Sequence, residues 1–181
     1  MWATHFYPIA VRLGQEGPMA TTKTSLEEYL GTSYRPDVEY IEGELQERNV
    51  GEIEHARMIL AVLRWFLGRG QQWQIESLPD VRVQVRRERF RVPDVCVSVA
   101  SSSDTRIVTT PPLVVVEVLS PEDRIANYQE RIADYLEMGV RGVWVIDPET
   151  RKGWDCSTGN WIETVLFRLP DSPVCLDLSA I

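Results

Sequence analysis

Two acidic residues lie in parts of this sequence where a carboxylate is costly to bury. Asp94 follows Pro93 at the head of a β-branched run, and Glu117 interrupts the apolar run at residues 113–119. A nearly continuous valine run is typical of a strand that is covered on both faces of its sheet. An unpaired carboxylate in that environment costs several kcal/mol or stays protonated. We therefore expect a compensating positive charge close to Glu117.

A divalent cation between the two carboxylates is one source of that charge. On adjacent strands, Asp94 and Glu117 would repel each other unless a cation lay between them. Mg²⁺ usually takes one or two protein carboxylates and leaves its other positions to water and substrate phosphate. The pair therefore indicates a metal-assisted phosphodiester hydrolase. The alternatives are a turn residue after proline for Asp94 and an ion pair with a buried arginine for Glu117.

The same residues carry a resemblance to known nucleases. Pro93-Asp94, followed by Glu117-Val118-Leu119 at the end of an apolar strand, resembles the core motif of the PD-D/E-x-K nuclease superfamily. More closely, the chain resembles the Uma-type restriction endonucleases from about residue 25 onward. The matching segments are residues 39–45, 111–121, 135–139 and 144–148. This resemblance implies a restriction endonuclease-like α/β domain that hydrolyses DNA phosphodiester bonds with Mg²⁺, for which Mn²⁺ could substitute.

The resemblance also implies roles for individual residues. Asp94, Glu117 and the backbone carbonyl of Val118 would hold the metal. The lysine position of the superfamily, two residues after the glutamate, holds Leu119, whereas the basic residue that this family places on the following helix matches Arg131. Arginine stays protonated and is no general base, but it could orient the attacking water or stabilise charge in the transition state. A surface arginine paired with an acidic neighbour on its helix is the alternative.

Two further candidates lie in the first third of the chain. Glu39 matches the first motif of the family, where a third carboxylate could hold a second metal or a metal-bound water, whereas Glu42 and Glu44 are equally well explained as solvated hairpin charges. His55 matches the family's histidine and could contact substrate phosphate or act as an acid toward the leaving oxygen. A polar surface group near the start of a helix is the alternative for His55.

A cluster of arginines precedes Asp94 and could bind substrate. Its members are Arg82, Arg86, Arg87, Arg89 and Arg91. Contact with the DNA backbone through Arg82, Arg89 and Arg91 is the functional interpretation. Arginines on the open face of an edge hairpin, where they oppose aggregation between strands, are the alternative.

The hydrophobic pattern predicts a mixed central β-sheet flanked by helices. Helices are predicted at residues 26–30 after Ser25, at 53–67, and from Ser120-Pro121 to Gly139, with a capping box completed by Asp123. The second helix carries an apolar stripe of Ile53, Ala56, Ile59, Leu60, Leu63 and Leu67. Strands are predicted at residues 38–42, 44–48, 81–85, 90–97, 113–119 and 142–147, with a hairpin and a last short strand beyond. The unit at residues 113–147 is a parallel β-α-β crossover.

Composition limits the class of protein. The 181 residues predict one domain at 25–181, after an N-terminal extension at 1–24 that we expect to be poorly ordered, with Met19 as an alternative start. Three widely spaced cysteines predict neither a zinc site nor disulfides, and we expect a cytoplasmic protein without a membrane segment. The net charge of −8 argues against coating nucleic acid through bulk electrostatics.

The sequence is also compatible with two other functions and with a homodimer. A nuclease fold that is catalytically weak and retained for binding or assembly is the first, and a metal-dependent hydrolase of another phosphate ester is the second. Six tryptophans favour a homodimer, because Trp144, Trp154 and Trp161 could cover an exposed edge.

Overall fold

A computed structural model of the chain describes residues 23–35, 37–48, 52–120 and 125–181. The helices are α1 Leu26–Gly31, α2 Ile53–Leu67, α3 Gly70–Trp73 and α4 Ile125–Met138, followed by a 3-10 turn at Leu178–Ala180. The strands are β1 Val38–Ile41, β2 Glu44–Glu47, β3 Ile75–Pro79, β4 Val83–Arg86, β5 Arg89–Arg91, β6 Val95–Val99, β7 Val114–Val118, β8 Gly142–Ile146, β9 Gly153–Asp155, β10 Ile162–Glu163, β11 Leu166–Arg168 and β12 Cys175–Asp177.

The central sheet has six strands in the order β10-β9-β8-β7-β6-β3. β7 and β8 are parallel and are joined through α4, whereas the other neighbours in this sheet are antiparallel. This arrangement confirms the predicted mixed α/β fold and the β-α-β unit. Gly139, at φ +100°, ends α4 as predicted, because glycine adopts that conformation without steric cost.

A second sheet of four strands, in the order β2-β1-β5-β4, corrects the prediction of one strand at residues 90–97. β5 belongs to this smaller sheet and β6 to the central sheet, with Val92, Pro93 and Asp94 between them. Proline has no N–H to donate to a strand ladder, so the chain leaves one sheet there and enters the other. The predicted hairpin is confirmed, and its turn residues Glu42 and Gly43 both have positive φ, as a two-residue hairpin turn requires.

The valine strand β7 divides the core into two layers. Val114, Val116 and Val118 pack with α2 on one face, whereas Val115 faces the layer formed by α4. Successive side chains of a strand point to opposite faces. Glu117 therefore lies on the α4 side of the sheet, two residues from Val115.

The apolar stripe predicted for α2 is only partly correct, because Ile59 and Leu63 pack against the core but its other four members are exposed. Met58, Val62 and Phe66 are buried, whereas Ile53, Leu60 and Leu67 have 69%, 47% and 63% of their surface exposed. The run at residues 58–63 is apolar throughout, so it offers two helical stripes, and the side chains at i, i+4 and i+8 from Met58 are the ones that face the sheet.

Several smaller predictions also need correction. β3 was not predicted, and the C-terminal segment forms the β9–β10 hairpin plus a separate two-stranded sheet of β11 and β12. Trp144 is fully buried in the core, so it covers no exposed edge, whereas Trp154 and Trp161 pack on each other at 5.8 Å.

Some predictions fall partly or wholly outside the described residues. The capping box with Asp123 lies there, as does the N-terminal extension up to residue 22. Ser25 is described, and its hydroxyl accepts from the backbone N–H of Glu28 at 3.1 Å as an N-cap. Among the described helices, none is both long and apolar enough to cross a membrane.

Candidate active site

Asp94 and Glu117 meet at one end of the central sheet. In the antiparallel pairing of β6 with β7, Val95 lies opposite Val116, which places the preceding Asp94 across from Glu117. The backbone N–H of Val118 donates to Asp94 Oδ2 at 2.6 Å. Asp94 retains 1% of its surface exposed and Glu117 none. The structure thus brings together the two carboxylates that the sequence singled out.

Arg48, which the sequence did not single out, supplies the positive charge between them. Its Nη2 lies 2.5 Å from Asp94 Oδ1 and 3.8 Å from Glu117 Oε2. Burial lowers the pKa of Arg48, but the carboxylates of Asp94 and Glu117 raise it by more than burial lowers it. The guanidinium is therefore charged. No local pattern marks this arginine, because its partners lie 46 and more residues away.

Helix α4 contributes two side chains one turn apart that both reach Glu117. Tyr135 donates its hydroxyl to Glu117 Oε1 at 2.6 Å, and Arg131 Nη1 lies 3.9 Å from Glu117 Oε2. Positions i and i+4 lie on one face of a helix, which explains their convergence. Arg131 is 6% exposed, so the alternative of a surface arginine is wrong.

Glu39 lies behind Arg131. Its Oε1 is 3.3 Å from Arg131 Nε, and its Oε2 accepts from Arg91 Nη1 at 2.7 Å. The backbone N–H of Val92 donates to Glu39 Oε1 at 3.3 Å. Glu39 is fully buried, so the structure connects it to the site through Arg131 rather than through direct contact with Asp94 or Glu117.

The substrate-binding role predicted for Arg91 is contradicted by its burial. Arg91 is 1% exposed, and besides Glu39 it contacts Asp134, with its Nε donating to Asp134 Oδ2 at 2.7 Å. A guanidinium enclosed between two carboxylates has no surface from which to contact DNA. The sequence around Arg91 gives no sign of this contact, because Asp134 lies on α4, 43 residues away.

Arg82 and Arg89 are likewise engaged within the protein. Arg82 donates to the carbonyl oxygens of Tyr29 at 3.1 Å and Thr32 at 2.8 Å. Arg89 contacts Glu130 at 3.0 Å and Asp134 at 3.1 Å, both on α4. The alternative of arginines on an open edge is therefore wrong for Arg82 and Arg89, whereas Arg86 and Arg87 are exposed in the hairpin that contains the edge strand β4, as that alternative predicts.

His55 lies at the site, as its match to the family motif implied. Its Nε2 is 3.1 Å from the carbonyl oxygen of Val118 and 3.7 Å from Asp94 Oδ2. The side chain is 11% exposed, which excludes the surface alternative. The Asp94 carboxylate raises the pKa of His55 above its usual value. The hydroxyl of Tyr128 donates to the same Val118 carbonyl at 3.2 Å.

The two central carboxylates differ in their protonation. Burial raises the pKa of Glu117 to about 7. Burial also raises the pKa of Asp94, but Arg48, His55 and the Val118 N–H together hold it below its usual value. Asp94 is therefore ionised at neutral pH, whereas Glu117 titrates near neutrality. Environments that separate the pKa values of two adjacent carboxyls are typical of active sites.

The donor set fits Mg²⁺. Glu117 Oε2 is buried and has no hydrogen-bond partner within the described part of the chain, so one oxygen beside Asp94 is left for a cation. Carboxylate oxygens are ligands that Mg²⁺ prefers, whereas the Val118 carbonyl already contacts His55 Nε2 at 3.1 Å and accepts from Tyr128 at 3.2 Å, so it would have to give up one of these contacts to join them. Across the described ranges, no group of three or more His, Cys, Asp or Glu side chains forms a larger metal-binding cluster.

The fold is that of a nuclease-like α/β domain. A solved structure, of a putative nuclease belonging to DUF820 from Anabaena variabilis, superposes with a TM-score of 0.65 at 20% sequence identity over 84% of this chain and 83% of that chain. No curated protein matches the chain. The chain belongs to the Uma2 family, whose model carries the description "Putative restriction endonuclease" and matches residues 26–177.

Proposed function

We propose that this protein is an Mg²⁺-dependent endonuclease that hydrolyses phosphodiester bonds of DNA. The observation that carries the proposal is the pair of buried carboxylates, Asp94 and Glu117, beside the Val118 carbonyl, with Glu117 Oε2 lacking a hydrogen-bond donor among the described residues. Membership of a family described as restriction endonucleases supports DNA as the substrate.

Asp94, Glu117 and the Val118 carbonyl would hold the metal. When bound, Mg²⁺ would supply polarisation of the scissile phosphate and a lower pKa for an attacking water. The protein fixes the ligands in advance. The Val118 N–H fixes one oxygen of Asp94, and the Tyr135 hydroxyl fixes Oε1 of Glu117, so Oε2 of Glu117 would be available to a cation.

Arg131 and His55 would assist the reaction in different ways. Arg131 is a permanent cation 3.9 Å from Glu117 Oε2, and because it is only 6% exposed it would stabilise developing negative charge through its electric field rather than through direct contact with DNA. Glu39 contacts Arg131 and acts as a positioning residue. His55, with its raised pKa, can hold a proton for a phosphate or leaving oxygen at the partly exposed edge of the site.

A binding module without catalysis is the second candidate function. The Arg48 guanidinium already lies between the two carboxylates and offsets their charge. In that case the carboxylates would be structural, and the protein would bind no divalent cation.

Calorimetry with Mg²⁺ and Mn²⁺, followed by incubation with supercoiled plasmid, tests the proposal. We expect the wild type to bind metal and to nick the plasmid, and the double variant Asp94→Asn, Glu117→Gln to lose both. The matched control, Glu42→Gln with Glu44→Gln, removes the same charge from the exposed hairpin and should retain both properties.

The outcomes separate the two candidates. Metal binding and nicking that disappear together in the double variant support the endonuclease. A folded wild type that binds neither metal would refute it and leave the binding module. Nicking that persists in the double variant would place catalysis elsewhere.

A further inference from the structure

The Arg48 guanidinium occupies the place between the two carboxylates where the proposed metal would bind. Its Nη2 is 2.5 Å from Asp94 Oδ1 and 3.8 Å from Glu117 Oε2. A guanidinium and a divalent cation cannot share this space, because both need the same oxygens and they repel each other. Any metal that binds Asp94 and Glu117 must therefore displace Arg48.

The contacts of Arg48 are incomplete. The 3.8 Å distance to Glu117 Oε2 is too long for a hydrogen bond, and both that oxygen and Arg48 Nη1 are buried without a hydrogen-bond partner inside the described ranges. A buried ion pair is stable only when its remaining donors and acceptors are also satisfied. Arg48 thus neutralises the carboxylates without completing their coordination, which a smaller cation with water ligands would do.

The surroundings hold the carboxylates in place more firmly than they hold Arg48. Asp94 is fixed by the Val118 N–H and Glu117 by Tyr135, whereas the Arg48 side chain is 13% exposed and lies at the rim of the site. Its backbone N–H is fixed to the carbonyl of Asp37 at 3.1 Å. The side chain can therefore turn toward solvent while the backbone of the hairpin stays in place.

We propose that Arg48 is an internal competitor of the divalent cation, and that it sets the metal affinity of this site. In the metal-free protein Arg48 neutralises Asp94 and Glu117, and it leaves them when the cation binds. This inference rests on the proposed function, since it concerns the same metal site. It adds a residue outside the matched motifs that determines how much Mg²⁺ the protein needs.

Calorimetry with Mg²⁺ on three proteins tests the competition: the wild type, Arg48→Met and Arg64→Met. Methionine keeps much of the length of the side chain but removes its charge. We expect Arg48→Met to bind Mg²⁺ with a Kd at least about tenfold lower than the wild type, a change of about 1.4 kcal/mol. Arg64 is exposed on α2, so Arg64→Met removes the same charge from the surface and should leave the Kd unchanged.

Thermal unfolding with and without Mg²⁺ supplies a second measurement. Without metal, Arg48→Met should have a lower Tm than the wild type, because two buried carboxylates lose the guanidinium that lies between them. Mg²⁺ should raise the Tm of Arg48→Met by more than it raises that of the wild type. If Arg48→Met does not fold without metal, refolding that depends on added Mg²⁺ would likewise show that the cation takes the place of the Arg48 charge.

The possible results distinguish this inference from the function on which it rests. An equal Mg²⁺ affinity in the wild type and in Arg48→Met would overturn the competition while leaving the metal site intact. Weaker binding in Arg48→Met would overturn it as well, since it would make Arg48 a supporting residue of the site. Absence of binding in both folded proteins would remove the metal site and the competition together.

Discussion

The Asp94 carboxylate is contacted by groups from three separated parts of the chain. Arg48 reaches it from the end of β2, His55 from α2 and the Val118 N–H from β7. A buried carboxylate needs such contacts to remain ionised, because burial alone would raise its pKa. At the scale of residues, the site is therefore an electrostatic assembly in which each charge depends on neighbours that are distant in sequence.

Glu39 shows the same dependence, and its neutralisation should destabilise the protein. Glu39→Gln would leave Arg91 and Arg131 buried without one of their carboxylates. Breaking a buried pair on one side costs about 3–5 kcal/mol. We expect a loss of this size in the free energy of unfolding at pH 7, measured by urea denaturation. Glu42→Gln, on an exposed side chain of the same hairpin, should change it by less than about 0.5 kcal/mol.

The pH dependence of this effect has a defined sign. Burial raises the pKa of Glu39, but Arg131 and Arg91 lower it below the usual value of 4.5. A lowered carboxyl pKa stabilises the folded state above the unfolded value, and this contribution is lost as the pH falls. The difference between the wild type and Glu39→Gln should therefore be complete above pH 4.5 and should shrink below it. A difference that stayed constant down to pH 3 would contradict this ion network.

At the scale of elements, the face of α2 that packs on the core determines which of its apolar residues stabilise the protein. Met58→Ala should destabilise the protein by about 2–5 kcal/mol, because Met58 is 4% exposed within the core. Leu60→Ala, two residues along and 47% exposed, should cost less than about 1 kcal/mol. Thermal or urea unfolding of the two variants measures both values. Equal losses would mean that α2 packs through another face.

The elements also show what the sequence could and could not predict. The β7-α4-β8 unit was predictable because its valine run, its helix and its terminal Gly139 are local signals. The pairing of Asp94 with Glu117 followed from a family motif. The break between β5 and β6 at Pro93 was missed, since the apolar pattern continues across it. Arg48 had no signal at all, because its position depends on how two sheets meet.

At the scale of the whole molecule, the reactivity of the three cysteines measures how readily the folded protein opens. Burial raises the pKa of the Cys96 thiol to about 11 and that of Cys156 to about 12. The thiolate is the reactive form, so both should be inert toward iodoacetamide at pH 8 in the native protein. Cys175 is only partly buried and should react first. Mass spectrometry after timed alkylation identifies the labelled residues.

Urea-unfolded protein supplies the control, since all three cysteines should then react at similar rates. Because both thiols are enclosed in the layer beside α4, their labelling requires the molecule to open. Rapid native labelling of Cys96 or Cys156 would show that this layer opens far more readily than its packing implies.

The interlocked charges behind the site limit how this sequence can change over evolutionary time. Glu39, Arg91 and Asp134 are joined in one buried chain of contacts, and Arg131 continues it toward Glu117. A single replacement leaves an unpaired buried charge, which costs about 3–5 kcal/mol. That is a large share of the roughly 5–15 kcal/mol by which a typical folded protein is stable. Inherited substitutions at these positions should therefore occur as compensating pairs, and relatives that lack one member of the chain should also lack its partner.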